Sequence, residues 1–317
     1  AAVKPTATTS NKRGPTGNTE SSDLPELSIH KRKVEKVPDA SAIETLREGI
    51  TDVAALFTTA SKSANHRLFH QYLSDLLTTL EAYESQTIPE KAVDDSLIED
   101  IFPSTEDSQL RNYLLELTGE LSDIKIKRTF VNLDKCFIRK LAEYLQQSPC
   151  LEIYAGNGWL TDELVKSGAN ITATDNYSWF DSGDMGREFT RNVQKKSAYE
   201  AASDFAKATM SEPEATILFG FPIHDDPSSK LDEIFQVILP RHPNMRIISI
   251  DANLPEWQAP QNAVVTDLTE RLNYTPYSFI GERVIEYRTM PSQQLKPKGR
   301  TKKSARLQDA RPAHLPE

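Results

Sequence analysis

From Ser41 onward the apolar residues fall at helical spacing. In SAIETLREGITDVAALFTTA, Ile43, Leu46, Ile50, Val53 and Phe57 recur at intervals of three and four, and Leu68, Tyr72, Leu76 and Leu80 do so in HRLFHQYLSDLLTTLEAY. That period lines side chains along one face of an α-helix. DSQLRNYLLELTGELSDI and NLDKCFIRKLAEYLQQ predict two further amphipathic helices, the second with Asn132 as its N-cap and Pro149 just beyond its end. After Pro149 the pattern changes. CLEIY, NITATD, ATILFGFP and MRIISID are short apolar runs, and GWLTDELVKSG, SAYEAASDFAKATM and SSKLDEIFQVILP between them have helical spacing. In the last of these Leu231, Ile234, Phe235 and Ile238 share a face, and one more short strand is expected near Val193. Strand and helix in alternation predict a parallel sheet covered by helices on both sides. YSFI and RVIEYRT, joined at Gly281, read as an antiparallel hairpin that closes the sheet.

These patterns divide the chain into a disordered N-terminal tail (1–40), a helical accessory domain (41–130), a sheet domain (131–290) and a basic disordered tail (291–317). Residues 1–40 carry seven Lys/Arg against five Asp/Glu and residues 291–317 carry seven against two, in a chain of net charge -9. The segment between them is therefore at -16, a charge that repels phosphate backbones and disfavours a nucleic-acid partner for the folded body. Cys136 and Cys150 are the two cysteines of the chain, too few for a disulfide framework. No apolar run has the length of a secretory or membrane-spanning segment. A cytoplasmic protein that does not contact the membrane is expected. The six His are scattered and neither Cys has a paired ligand near it, so no metal site is expected.

In a parallel α/β sheet, ligands bind beyond the carboxyl ends of the strands, where the topology reverses. The turn in LEIYAGNGWL is the natural candidate. Gly156 and Gly158 let the backbone approach a ligand, the following helix supplies free N–H groups, and Glu152 lies just before the turn. Asp175 ends the next strand, where a carboxylate can accept hydrogen bonds from both hydroxyls of a ribose. The G-x-G-x-x-G pattern of a dinucleotide site fails in either register, because its third glycine falls on Thr161 or Trp159. No Gly-Lys-Ser/Thr follows, which excludes a P-loop.

LEIYAGNGWLTDELVKSGANITATD resembles the first two motifs of the class I S-adenosylmethionine-dependent methyltransferases, whose first motif is typically E/D-x-G-x-G-x-G. The helix before the first strand and the closing hairpin are similar to that family as well, and the likeness spans roughly residues 131–290. It implies an α/β fold: a Rossmann-like, seven-stranded, mostly parallel sheet with a C-terminal antiparallel hairpin, preceded by an α-helical domain. It implies S-adenosylmethionine as cofactor, held by Glu152, Tyr154, Ala155, Gly156, Asn157 and Gly158 of the first motif. Asp175 would bind the ribose, with Asn176 and Tyr177 beside the adenosine. KKSAYEAA looks like the third motif, with Ser197 in the position usually held by an acid and Ala198 after it, and Phe221 follows the fourth strand in the cofactor cleft.

Two departures bear on chemistry. Tyr154 stands where the motif has glycine; one reading is that the position tolerates a side chain when its φ stays negative, and the other is that the ring fills the cofactor cleft and marks a chain that has lost catalysis. Gly220-Phe221-Pro222-Ile223 lacks the polar residue that accepts a nucleobase amine, so methylation of adenine or cytosine amino groups is not expected. His224 and Asp225 come next; they are candidates for a general base and its orienting partner, and equally for an ordinary polar loop. The combined expectation is a methyltransferase acting on a small molecule or a protein side chain. The alternative is an inactive methyltransferase-like scaffold for protein interaction.

Overall fold

The computed structural model describes residues 40–60, 64–126, 129, 131–178, 193–220, 230–251, 262–277 and 281–289. The tails, Phe221, His224 and Asp225 lie outside them. Four helices come first: α1 (Ala40–Ala60), α2 (His66–Glu84), the short α3 (Leu97–Ile101) and α4 (Ser108–Ile126). Their apolar stripes meet in one core that contains Ile43, Leu46, Ile50, Val53 and Phe57 of α1 with Tyr72, Leu76 and Leu80 of α2. Gly49 is where α1 and α4 approach most closely, since a Cβ there would lie 2.5 Å from Leu117. Asn65 caps α2, its side chain accepting from Leu68 N at 3.2 Å.

α5 (Lys135–Leu145) leads into the sheet. Its N-cap is Asp134, not Asn132: the carboxylate accepts from Phe137 N at 2.6 Å and from Ala92 N at 2.9 Å. Asn132 is two positions too early to cap and is buried in other contacts described below. The strands are β1 (Cys150–Ile153), β2 (Ile171–Asp175), β3 (Val193–Lys195), β4 (Ala215–Gly220), β5 (Met245–Asp251), β6 (Ala263–Asp267) and β7 (Arg283–Thr289). Between them lie α6 (Trp159–Lys166), α7 (Ala198–Ala208) and a helix over 231–241, here α8. The middle turn of α8, Ile234–Ile238, is π-helical, and Leu239 N reaches back to Ile234 O. Pro240 has no N–H to donate and would clash with a carbonyl one turn earlier, so the wider turn absorbs it.

The sheet order is β3-β2-β1-β4-β5-β7-β6. β1 to β5 run parallel, and β7 is antiparallel to both β5 and β6. This is a Rossmann-like, mostly parallel sheet with a C-terminal antiparallel pair. β4 and β5 are buried along their whole length, as central strands covered on both faces must be. Successive residues serve opposite cores: Leu218 and Ile248 pack with α5 and α6, while Ile217, Phe219 and Ile247 pack with α7 and α8. At the amino ends of β4 and β5, the buried Arg246 joins Thr216, Glu286, Glu214 and the Tyr144 carbonyl, which satisfies a charge that burial alone would forbid.

An antiparallel pair closes the sheet, as expected. β7 pairs with Ala263–Asp267, while YSFI, the partner expected for it, lies outside the described residues except for Tyr277. Tyr277 N donates to the Glu282 carboxylate at 3.0 Å. Among the described residues no helix is long and apolar enough to cross a membrane.

Candidate functional site

The sheet order reverses between β1 and β4, so the crevice lies outside the carboxyl ends of those strands. There the chain makes a tight turn with three residues in the left-handed region: Tyr154 (φ 56°), Gly156 (φ 57°) and Gly158 (φ 83°). Gly156 is required by its backbone angle rather than by crowding, since an added Cβ would meet nothing within 4 Å. Ala155 N donates to Thr174 O at 3.1 Å, extending the β1–β2 ladder by one rung, and Gly158 N donates to Ala155 O at 2.8 Å to close the turn. Gly158 is the N-cap of α6 and has no side chain to satisfy the helix's first amides. Side chains beside the turn take two of those amides: Thr161 N donates to Glu152 at 3.1 Å and Trp159 N to Asn157 Oδ1 at 3.4 Å.

Tyr154 overturns the condition on which it was to be tolerated, because its φ is positive. A left-handed tyrosine is a strained residue, of the kind that persists where surrounding structure holds it. Its ring is held: it stands edge-on to Phe219 at 6.3 Å and packs against the core beneath α7 and α8. The same residue lines the pocket at the turn.

Two carboxylates serve the turn. Glu152 is 3% exposed and accepts from Thr161 N at 3.1 Å and from Thr161 Oγ1, tying β1 to α6. Burial pushes its carboxyl up to about 8, against the pull of the two Thr161 bonds; the neighbouring Asp175 adds to the rise. Asp175, at the tip of β2, accepts from Gly156 N at 2.8 Å and from Tyr177 N at 2.6 Å. The expected glycine turn and strand-end acid are thus in direct contact.

The other expected residues are distributed as follows. Asn176 accepts from Ser178 N at 2.9 Å. Tyr177 is left-handed (φ 64°), its hydroxyl donates to Val193 O at 2.8 Å, and Lys195 lies 5.8 Å from its ring centroid. Asn157 is buried, with its side-chain oxygen near Trp159 N at 3.4 Å. Ser197 caps α7 by accepting from Glu200 N at 3.4 Å, and Ala198 is buried behind it. The serine in the acid's position is thus engaged by a helix start. Phe221, His224 and Asp225 follow the tip of β4 outside the described residues. Among the described residues no three His, Cys, Asp or Glu side chains gather as a metal site would require.

Sequence patterns did not foresee the segment just before α5. Thr129 and Val131 line the pocket at the turn together with Glu152, Gly156, Trp159 and Gly220. Val131 lies so close to the tip of β4 that a Cβ on Gly220 would be 2.4 Å from it. The space these residues enclose is about 20 Å³, room for roughly one water. Trp159, the first residue of α6, packs against both the helical core and the core beneath α5 and α6. Only spatial neighbourhood joins these residues to the turn, and no local motif announces it.

No family model matches the chain, and no curated protein matches it. Solved structures do, 103 chains in all. The 23S rRNA methyltransferase ErmE is 17% identical, with a TM-score of 0.30 over 51% of this chain and 70% of that one. The putative methylase HI0767 from Haemophilus influenzae is 16% identical, TM-score 0.27, over 48% and 92%. The structure of the E. cuniculi Mtq2–Trm112 complex, responsible for methylation of the eRF1 translation termination factor, gives 14%, 0.30, 49% and 93%. The sheet itself is Rossmann-like and mostly parallel, with its last pair of strands antiparallel.

Proposed function

We propose that this chain is an S-adenosylmethionine-dependent methyltransferase acting on a small molecule or a protein side chain. One observation carries the reading. The glycine turn and the Asp175 carboxylate meet at the rim of the sheet where its order reverses, with Gly156 N 2.8 Å from Asp175. A bare backbone bend beside an acid at the tip of the next strand is where a ribose, with two hydroxyl donors, would be held in such a sheet. In this reading Gly156 and Gly158 cradle the methionine part, supported by Glu152, Ala155 and Asn157. Asp175 takes the ribose, and Asn176, Tyr177, Ser197, Ala198 and Phe221 border the adenine. When bound, the sulfonium supplies a reactive methyl group. The protein's part is then to hold the acceptor in line and, where the acceptor carries a proton, to remove it. His224, oriented by Asp225, is the proposed base, and a general base of this kind contributes about 10²- to 10⁴-fold.

Charge supports the choice of acceptor: the acidic body favours a small molecule or a protein over a polynucleotide. Cys136 and Cys150 are free, which suits a cytoplasmic, reducing environment.

Calorimetric titration with S-adenosylmethionine tests the proposal. Wild-type chain is expected to bind, and Asp175→Ala to bind about 10- to 100-fold more weakly, the loss of hydrogen bonds to a charged acceptor. Unchanged affinity in the variant would remove Asp175 from the ribose. The left-handed Tyr154 on the pocket wall favours a second reading, a methyltransferase-like scaffold for protein interaction without catalysis. A folded wild-type sample that takes up no ligand would select it.

A further inference from the structure

Lys125, the penultimate residue of α4, is 2% exposed. Its ammonium donates to the Asn132 side-chain oxygen at 3.2 Å and lies 5.3 Å from the Tyr277 ring centroid. Asp95, Glu282 and Asp134 supply the negative field around it, while burial pushes the amine down to about 8. A methionine or leucine could occupy this space without the desolvation that a cation brings. What an apolar residue could not do is donate a hydrogen bond to Asn132.

Asn132 is the junction of a buried polar chain. Its amide donates to Thr275 O at 2.9 Å, and its backbone N–H donates to the Tyr274 hydroxyl at 3.3 Å. Tyr274 in turn donates to Glu282 at 2.9 Å, and Glu282 accepts from Tyr277 N. The chain therefore runs from the end of α4 to the connection between β6 and β7. The segment held between these anchors is the one that walls the pocket. Thr129 N donates to Lys125 O at 2.9 Å, Val131 N donates to Thr129 Oγ1 at 3.2 Å, and Val131 presses on the tip of β4 at Gly220.

We propose that Lys125 is a positioning residue for the pocket at the glycine turn. Through Asn132 it holds Thr129 and Val131 against the tips of β1 and β4, so that the helical layer sets how firmly the turn grips its ligand. The identity of that ligand rests on the methyltransferase reading; the mechanical coupling does not.

The test uses the full chain without ligand. Hydrogen exchange is compared between wild type and Lys125→Met, an unbranched side chain that cannot donate to Asn132. Exchange across 154–161 is expected to quicken about tenfold in the variant while β4 and β5 keep their rates, a local opening rather than a general loss of stability. S-adenosylmethionine affinity, measured alongside, is expected to fall by a similar factor. Should Lys125→Met not fold, Asn132→Ala cuts the same link with Lys125 in place and is expected to give the same pattern. Unchanged exchange at 154–161, or an equal rise in β4 and β5, would overturn the proposal. Wild-type chain that binds no S-adenosylmethionine would instead remove the methyltransferase reading and leave the exchange pattern to decide on Lys125.

Discussion

Glu152 shows how one buried side chain can set a pH dependence for the whole molecule. Its carboxyl is raised from an ordinary 4.5 to about 8, chiefly by burial. A raised acid holds a proton in the folded state that the unfolded chain releases. Its contribution to stability is therefore fully present below about 4.5 and is lost as pH climbs through about 8. Within that window each pH unit removes at most about 1.4 kcal/mol. Lys125 acts in the opposite sense higher up: its lowered pKa of about 8 means stability regained as pH rises from there toward its ordinary 10.5. Thermal unfolding across this range is expected to show a shallow minimum near the meeting point of the two windows. Glu152→Gln should flatten the acid-side slope and leave the alkaline side alone. A slope that survives the substitution would move its cause to another group. The hydrogen bonds from Thr161 are compatible with the neutral Gln, whose carbonyl also accepts.

At the scale of elements, caps and strand pairings decide what a linear pattern can reveal. α1, α2 and α5 were legible because each needs only its own sequence: an apolar stripe, a polar face and a stop. The start of α5 was misread by two residues, since both Asn132 and Asp134 are cap-forming types. What distinguishes them is distant, namely Ala92 N waiting for Asp134 and Lys125 and Thr275 O waiting for Asn132. Asp134→Ala leaves two backbone donors without a partner and is expected to cost about 2 kcal/mol in urea unfolding. A loss below about 0.5 kcal/mol would mean that water or a rearranged loop replaces the carboxylate. β6 escaped for another reason. Val264 and Val265 are both exposed, 39% and 53%, and an edge strand without a buried face has no alternation to read. In the site, Gly156, Gly158 and Asp175 could be read from one stretch of sequence, as their geometry is local to β1, β2 and the turn between. The left-handed φ of Tyr154 could not, because residue type does not dictate it. Nor could the wall formed by Thr129 and Val131, which the chain brings from the far side of α5.

Across the whole molecule, helical layer and sheet meet at the rim that bears the candidate site, through Trp159 on one side and Lys125 with Asn132 on the other. Residues 41–126 contain sixteen Asp/Glu against six Lys/Arg, so the layer that reaches this rim is the more acidic part of an already acidic body. A polyanion approaching the turn meets like charge, and the repulsion is strongest at low salt. Besides residues 125–140, with six Lys/Arg against one Asp/Glu, and residues 1–40, with seven against five, the strongly basic stretch is 291–317, with seven against two. Any affinity for RNA in dilute salt is therefore expected to reside in that stretch. Binding would be blind to sequence and would fade steeply as salt rises, because it comes from the release of counterions. Fluorescence anisotropy with a labelled RNA, on the full chain and on one ending at Met290, separates the cases. Loss of binding in the shorter chain, with S-adenosylmethionine affinity retained, would support a protein or small-molecule acceptor. Undiminished RNA affinity in the shorter chain would assign a nucleic-acid surface to the acidic body, and the acceptor proposed here would have to give way to a polynucleotide.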